Sequence, residues 1–141
     1  MRRRHPRTQD FVGEEGLVMY KYFKLSEFDS PDRPGSGELM EHDVVQALDI
    51  ARDIYGYPMI ITSGFRTVDY NRQLIDMGYP ASPKSSHLLG WAVDIAVTDN
   101  ERRFLMLEAL LDAGFNRIGL GAGFIHVDMD PYKKPNALWI Y

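Results

Sequence analysis

Two short stretches of the chain, Trp91–Val97 and Phe124–Met129, alternate apolar and polar residues with period two. Successive side chains of a strand point to opposite faces of its sheet. Trp91, Val93, Ile95 and Val97 are therefore expected on one face, packing a core, with Ala92, Asp94 and Ala96 on the other. In the second stretch Ile125 and Val127 turn inward, while Phe124, His126 and Asp128 share the opposite face. The fold must then supply a sheet whose one face is buried in apolar packing and whose other face holds ionisable groups.

The rest of the chain places helices around these strands. Val44, Leu48, Ala51 and Tyr55 fall at i, i+4, i+7 and i+11, one stripe of an amphipathic helix predicted over Glu38–Tyr55 and ended by Gly56. Pro58–Thr62 reads as a short strand entered through proline. Thr67 is positioned to cap a helix over Val68–Met77, stopped by Gly78 and Pro80. Thr98-Asp-Asn-Glu101 has the form of a capping box opening a helix through Ala113, with Gly114 as its C-terminal cap and Phe104, Leu107 and Leu111 as its core face. A last strand is expected at Ala137–Tyr141, and the connection near Gly119–Gly123 is short enough for a hairpin. The pattern predicts an α+β fold with a mostly antiparallel sheet flanked by helices.

At 141 residues the chain fits one domain. We assign residues 1–21 to a basic, flexible N-terminal arm and 22–141 to a single domain, with Ser30–Gly37 a loop rich in Pro, Gly and Ser. No stretch has the ~18 apolar residues a membrane-spanning helix needs. The absence of cysteine removes disulfides, thiolate metal ligands and cysteine nucleophiles together. The net charge of −4 argues against nucleic acid as a partner, the more so because four arginines crowd into the first seven residues and leave the remainder more acidic. That basic opening is followed by Thr8, Gln9 and Asp10 and not by an apolar stretch, so it lacks the form of a classical export signal. It reads as a solvated tail or as a contact to a polyanion.

The chemistry is concentrated in Ser85-Ser-His-Leu-Leu-Gly-Trp-Ala-Val-Asp94 and Phe124-Ile-His-Val-Asp128. Gly90 lets the chain turn so that His87 can fold back beside Asp94. Two imidazoles and one carboxylate are a known ligand set for catalytic zinc, with a fourth position left for water. Spacing alone leaves the alternative open, because a single His on a strand or an Asp near a turn is commonly a satisfied structural residue.

The pattern Ser86-His87-x-x-Gly90-x-Ala92-x-Asp94 followed by His126-x-Asp128 resembles the M15 zinc peptidases, as do Ser63-Gly-Phe-Arg66, Asn71 and Tyr22-Phe-Lys-Leu-Ser-Glu-Phe28. That family includes D-Ala-D-Ala carboxypeptidases, dipeptidases and phage endolysins, and it shares its fold with the hedgehog signalling domain. The resemblance covers roughly Tyr22 to Asp130 and is greatest to the short, single-domain branch. It implies His87, Asp94 and His126 as zinc ligands and Arg66 as the group that stabilises the oxyanion or steadies the substrate. Taken alone, Arg66 would read as a surface ion pair with Asp69. Ser86, beside a ligand, is assigned to orient His87 or to hold the turn.

One departure stands out. Classical members carry a Glu, Asp or His two or three residues before the third ligand as general base, and Gly123 and Phe124 occupy those places here. Asp128, on the same strand face as His126, is the nearest substitute; it can activate the water or serve as a partner of His126 or Arg66. His42 is a distant alternative whose place in the first helix suits a solvent-facing residue. The resemblance thus implies a zinc peptidase cleaving an amide of D-amino-acid-containing peptidoglycan stem peptides, as carboxypeptidase or endopeptidase, acting as a monomer. Small size and the missing export signal suit a phage lysin, or equally a chain whose leader has been removed. The competing readings are a catalytically retired zinc-containing binding module and a structural component of a phage particle.

Overall fold

The computed structural model describes residues 11–12 and 18–141. Within the assigned N-terminal arm, residues 1–10 and 13–17 lie outside the described residues, whereas β1 (Phe11–Val12) pairs antiparallel with β2 (Val18–Met19). The body then runs α1 (His42–Tyr55), β3 (Ile61–Ser63), α2 (Val68–Asp76), β4 (Ala92–Ala96), α3 (Asn100–Asp112), β5 (Arg117–Leu120), β6 (Phe124–Asp128) and β7 (Ala137–Ile140). Short 3₁₀ turns occupy Leu25–Phe28, Ser36–Leu39 and Ser86–Leu89.

Five strands form one sheet in the order β3-β4-β6-β5-β7, antiparallel except for the parallel pair β5–β7. The architecture is the α+β arrangement that the sequence predicts. Val93, Ile95, Ile125 and Val127 are fully buried on one sheet face, and the α1 stripe Val44, Leu48, Ala51 and Tyr55 joins them in a single core with Met106, Ala109 and Leu110 of α3. Burying each such aliphatic side chain contributes about 1.5–3 kcal/mol. Asp49 is a buried carboxylate on α1 that accepts the backbone N–H groups of Lys21 (2.7 Å) and Tyr22 (2.9 Å), fastening the start of the domain to this helix.

Four local readings are corrected. Helix α1 starts at His42 instead of Glu38, because Ser36–Leu39 closes as a separate 3₁₀ turn and Met40 and Glu41 are extended. The cap of α3 is Asp99, whose side chain accepts the Arg102 N–H at 2.9 Å, so the capping position lies one residue beyond Thr98. Phe104 is 65% exposed. At ~100° per residue it lies about 200° around the helix from Met106, and Met106, Ala109 and Leu110 face the core in its place. Finally, Arg117–Leu120 is itself a strand, the first arm of the hairpin that turns through Gly121–Gly123 into β6. Its Arg and Gly blur the alternation, and its hydrogen bonds to both β6 and β7 hold it extended.

Candidate active site

Strands β4 and β6 lie side by side with Asp94 directly opposite His126, so the polar face of each strand meets that of the other. His126 Nδ1 lies 2.8 Å from Asp94 Oδ1. His87 arrives from the 3₁₀ turn ahead of β4 and brings its Nε2 to 3.2 Å from the same oxygen. That turn is fixed at both ends. Ser85 Oγ accepts the His87 N–H at 3.2 Å, and Gly90 closes the turn with a φ of 78°. A Cβ at Gly90 would stand 2.3 Å from the Leu39 carbonyl oxygen, so no other residue fits there without displacing backbone.

Each imidazole has one nitrogen committed elsewhere. His87 Nδ1–H donates to the Gly64 carbonyl at 2.8 Å, which leaves Nε2 as its lone-pair nitrogen toward Asp94. His126 Nε2–H donates to Asp128 Oδ2 at 2.8 Å, which leaves Nδ1. The three facing atoms lie within 4.8 Å of one another. Donors around a tetrahedral zinc at bond lengths of 2.0–2.2 Å stand about 3.3–3.6 Å apart, and the two separations to Asp94 Oδ1, 2.8 and 3.2 Å, are close to that range. Donor type, spacing and outward hydrogen bonds therefore all fit a zinc ion, and the adjoining cleft of about 450 Å³ leaves room for a substrate.

The electrostatics follow from burial and pairing. Burial favours the neutral acid at Asp94, but the two histidines prevail and hold its carboxyl well below the usual range. Burial pushes His87 down, toward the neutral form a metal ligand needs. Burial also acts to lower His126, yet the neighbouring carboxylates of Asp128 and Asp94 raise it.

Arg66 is buried beside this group. Its guanidinium reaches Asp94 Oδ2 (3.2 Å), Ser63 Oγ (2.9 Å) and Asn71 Oδ1 (3.2 Å), and Asn71 in turn donates to the Ser82 carbonyl at 2.8 Å. Its carboxylate partner is Asp94, not Asp69. Asp128 is 1% exposed, and both of its oxygens are engaged. Oδ2 accepts from His126 at 2.8 Å, and Oδ1 accepts from Arg117 Nε at 2.7 Å and from the Asp130 N–H at 3.2 Å. Ser86 donates to Asp130 Oδ2 (2.7 Å) and accepts from Lys133 Nζ (2.8 Å), while the His87 ring is held by Gly64. His42 pairs with the Tyr20 hydroxyl at 2.6 Å and does not line the cleft.

Sequence reasoning did not find the roles of Gly64, Arg117, Asp130 and Lys133. Trp91 packs against the core, as its strand alternation predicts, and Trp139 is a cleft wall 5.5 Å from the His126 ring. Asp130 continues the i, i+2 series of His126 and Asp128, a signal that could have found it. Gly119, opposite His126, makes room for Trp139; a Cβ there would lie 2.5 Å from the indole nitrogen.

A sequence model of the family described as Peptidase M15 matches residues 21–128. No curated protein matches the chain in sequence. Among solved structures, the chain is similar to the L-Ala D-Glu endopeptidase ChiX of Serratia marcescens, at 18% identity with a TM-score of 0.56 over 66% of this chain and 82% of that one.

Proposed function

Because this chain belongs to the peptidase M15 family, we propose that it cleaves an amide bond in the stem peptides of peptidoglycan, with a zinc ion held by His87, Asp94 and His126. The observation that carries this reading is the convergence of those three side chains, each braced from behind, at one cleft. The similarity in fold to an enzyme named as an L-Ala D-Glu endopeptidase supports the substrate class.

When bound, the zinc would supply a Lewis acid and a water activated near neutral pH. The chain's own residues do the rest. The Gly64 carbonyl and Asp128 fix the orientation of the two imidazoles, as hydrogen-bonding partners behind metal ligands commonly do. Arg66 presents a permanently charged fork beside Asp94, suited to the negative charge that develops on a scissile carbonyl oxygen. Its aim is set by Ser63 and Asn71. Of the two roles open to Asp128, orientation of His126 is the better supported, because both of its oxygens are already taken.

Mass spectrometry of purified peptidoglycan digested with the protein, with and without a chelator, tests the proposal. New peptide products that vanish with the chelator support it and identify the bond. Absence of products from zinc-loaded protein on walls of several compositions would favour the binding module.

A further inference from the structure

Among the described residues, three Arg and Lys side chains line the cleft: Arg66, Arg117 and Lys133. Two are matched directly by a carboxylate in the same cleft. Arg66 meets Asp94 at 3.2 Å, and Arg117 meets Asp128 at 2.7 Å. Lys133 differs. Among the described residues its ammonium donates one hydrogen bond, to the neutral Ser86 hydroxyl at 2.8 Å. The nearest carboxylate oxygen, Asp130 Oδ2, stands 3.8 Å away and already accepts from Ser86 at 2.7 Å. The other Asp130 oxygen accepts the Tyr132 N–H at 2.9 Å. An ammonium carries three donors, so Lys133 keeps donor capacity and charge on a side chain that is 32% exposed.

The position of this ammonium is fixed. Ser86 and Asp130 are both buried, and Ser86 immediately precedes His87. The hydroxyl next to the candidate ligand therefore holds a lysine and leaves the histidine to Gly64. A cation held this way at the lip of a catalytic cleft suits an anion on the substrate.

We propose that Lys133, held by Ser86 and Asp130, binds a free carboxylate of the peptide substrate and makes the enzyme selective for acidic over amidated stem peptides. This rests on the peptidase reading above and adds a specificity determinant to it. A stem peptide offers two such groups, the α-carboxylate of its γ-linked D-glutamate and its C-terminal carboxylate. Both present the same chemistry to an ammonium.

The test uses the zinc-loaded full chain and three synthetic peptides: L-Ala-γ-D-Glu-L-Lys-D-Ala, and the same peptide amidated at either carboxylate. Expected for the wild type is a KM about tenfold lower for the acid than for one of the two amides, as for a hydrogen bond to a charged group. The amide that weakens binding identifies the carboxylate. Lys133→Met should abolish this preference, and Lys133→Arg should restore most of it. Equal KM values for all three peptides in the wild type, or an undiminished preference in Lys133→Met, would overturn the subsite. If no protein cleaves any peptide, the peptidase reading fails separately, and calorimetry of acid and amide peptides on the metal-free proteins decides the subsite. Tighter binding of the acid that is lost in Lys133→Met upholds it, and equal binding overturns it.

Discussion

The two faces of strands β4 and β6 are chemically opposite, one wholly dry and the other opening onto the cleft. On one, Val93, Ile95, Ile125 and Val127 are wholly excluded from water among other apolar side chains. On the other, His126 is 7% exposed and Asp128 1%, and both are ionisable. The apolar face is stabilised by burial alone, in proportion to area and with little regard to direction. The polar face is tolerable only because its groups have partners: His87 on the Gly64 carbonyl, His126 on Asp128, Asp128 between His126 and Arg117, Asp94 against Arg66. Buried charges without such pairing cost several kcal/mol each. Substitutions on the two faces should consequently fail in different ways.

The largest effect is expected from His126→Ala. Removing a donor should take bound zinc from stoichiometric to undetectable in elemental analysis of dialysed protein, and activity with it. Retention of one zinc per chain would remove His126 from the ligand set. Arg66→Ala comes next: kcat on a stem peptide should fall about 10²–10³-fold, the range seen when a donor to a developing oxyanion is deleted, while zinc content stays at wild-type level. Unchanged turnover would leave Arg66 a structural partner of Asp94. For Asp128→Asn, competition with a chromophoric chelator should show zinc affinity falling about 10–100-fold, as for loss of the partner behind a ligand. Wild-type affinity coupled with lost turnover would instead return Asp128 to the role of proton acceptor. The smallest change belongs to the opposite face. Ile125→Val should cost about 0.5–1.5 kcal/mol in denaturant unfolding and leave zinc affinity unaltered; a variant that loses zinc without losing stability would erase the distinction between the faces.

What the sequence disclosed divides along the same line. Period-two alternation made the two faces readable, because it is local and recurs within five residues. It put Asp94 on the polar face of one strand and His126 and Asp128 on that of the other, and Gly90 announced the turn that returns His87; that the two strands are neighbours came from the fold. The α1 stripe was equally plain. The brace behind each imidazole was not, since Gly64 acts through its backbone carbonyl, which carries no residue-type signature. Arg117 was hidden because its strand is four residues long and is held by neighbours on both sides. Lys133 reaches Ser86 across 47 positions of sequence, a pairing that no spacing rule encodes.

Trp139 has a consequence of its own. The chain contains two tryptophans, and only this one borders the cleft, its ring tilted against that of His126 and lying beneath the Arg117 guanidinium at 5.2 Å. Trp91 packs against the core instead. Replacing Trp91 by Phe would leave a single tryptophan, beside the imidazole, so its selectively excited emission would follow cation loading and peptide entry in real time without any attached dye.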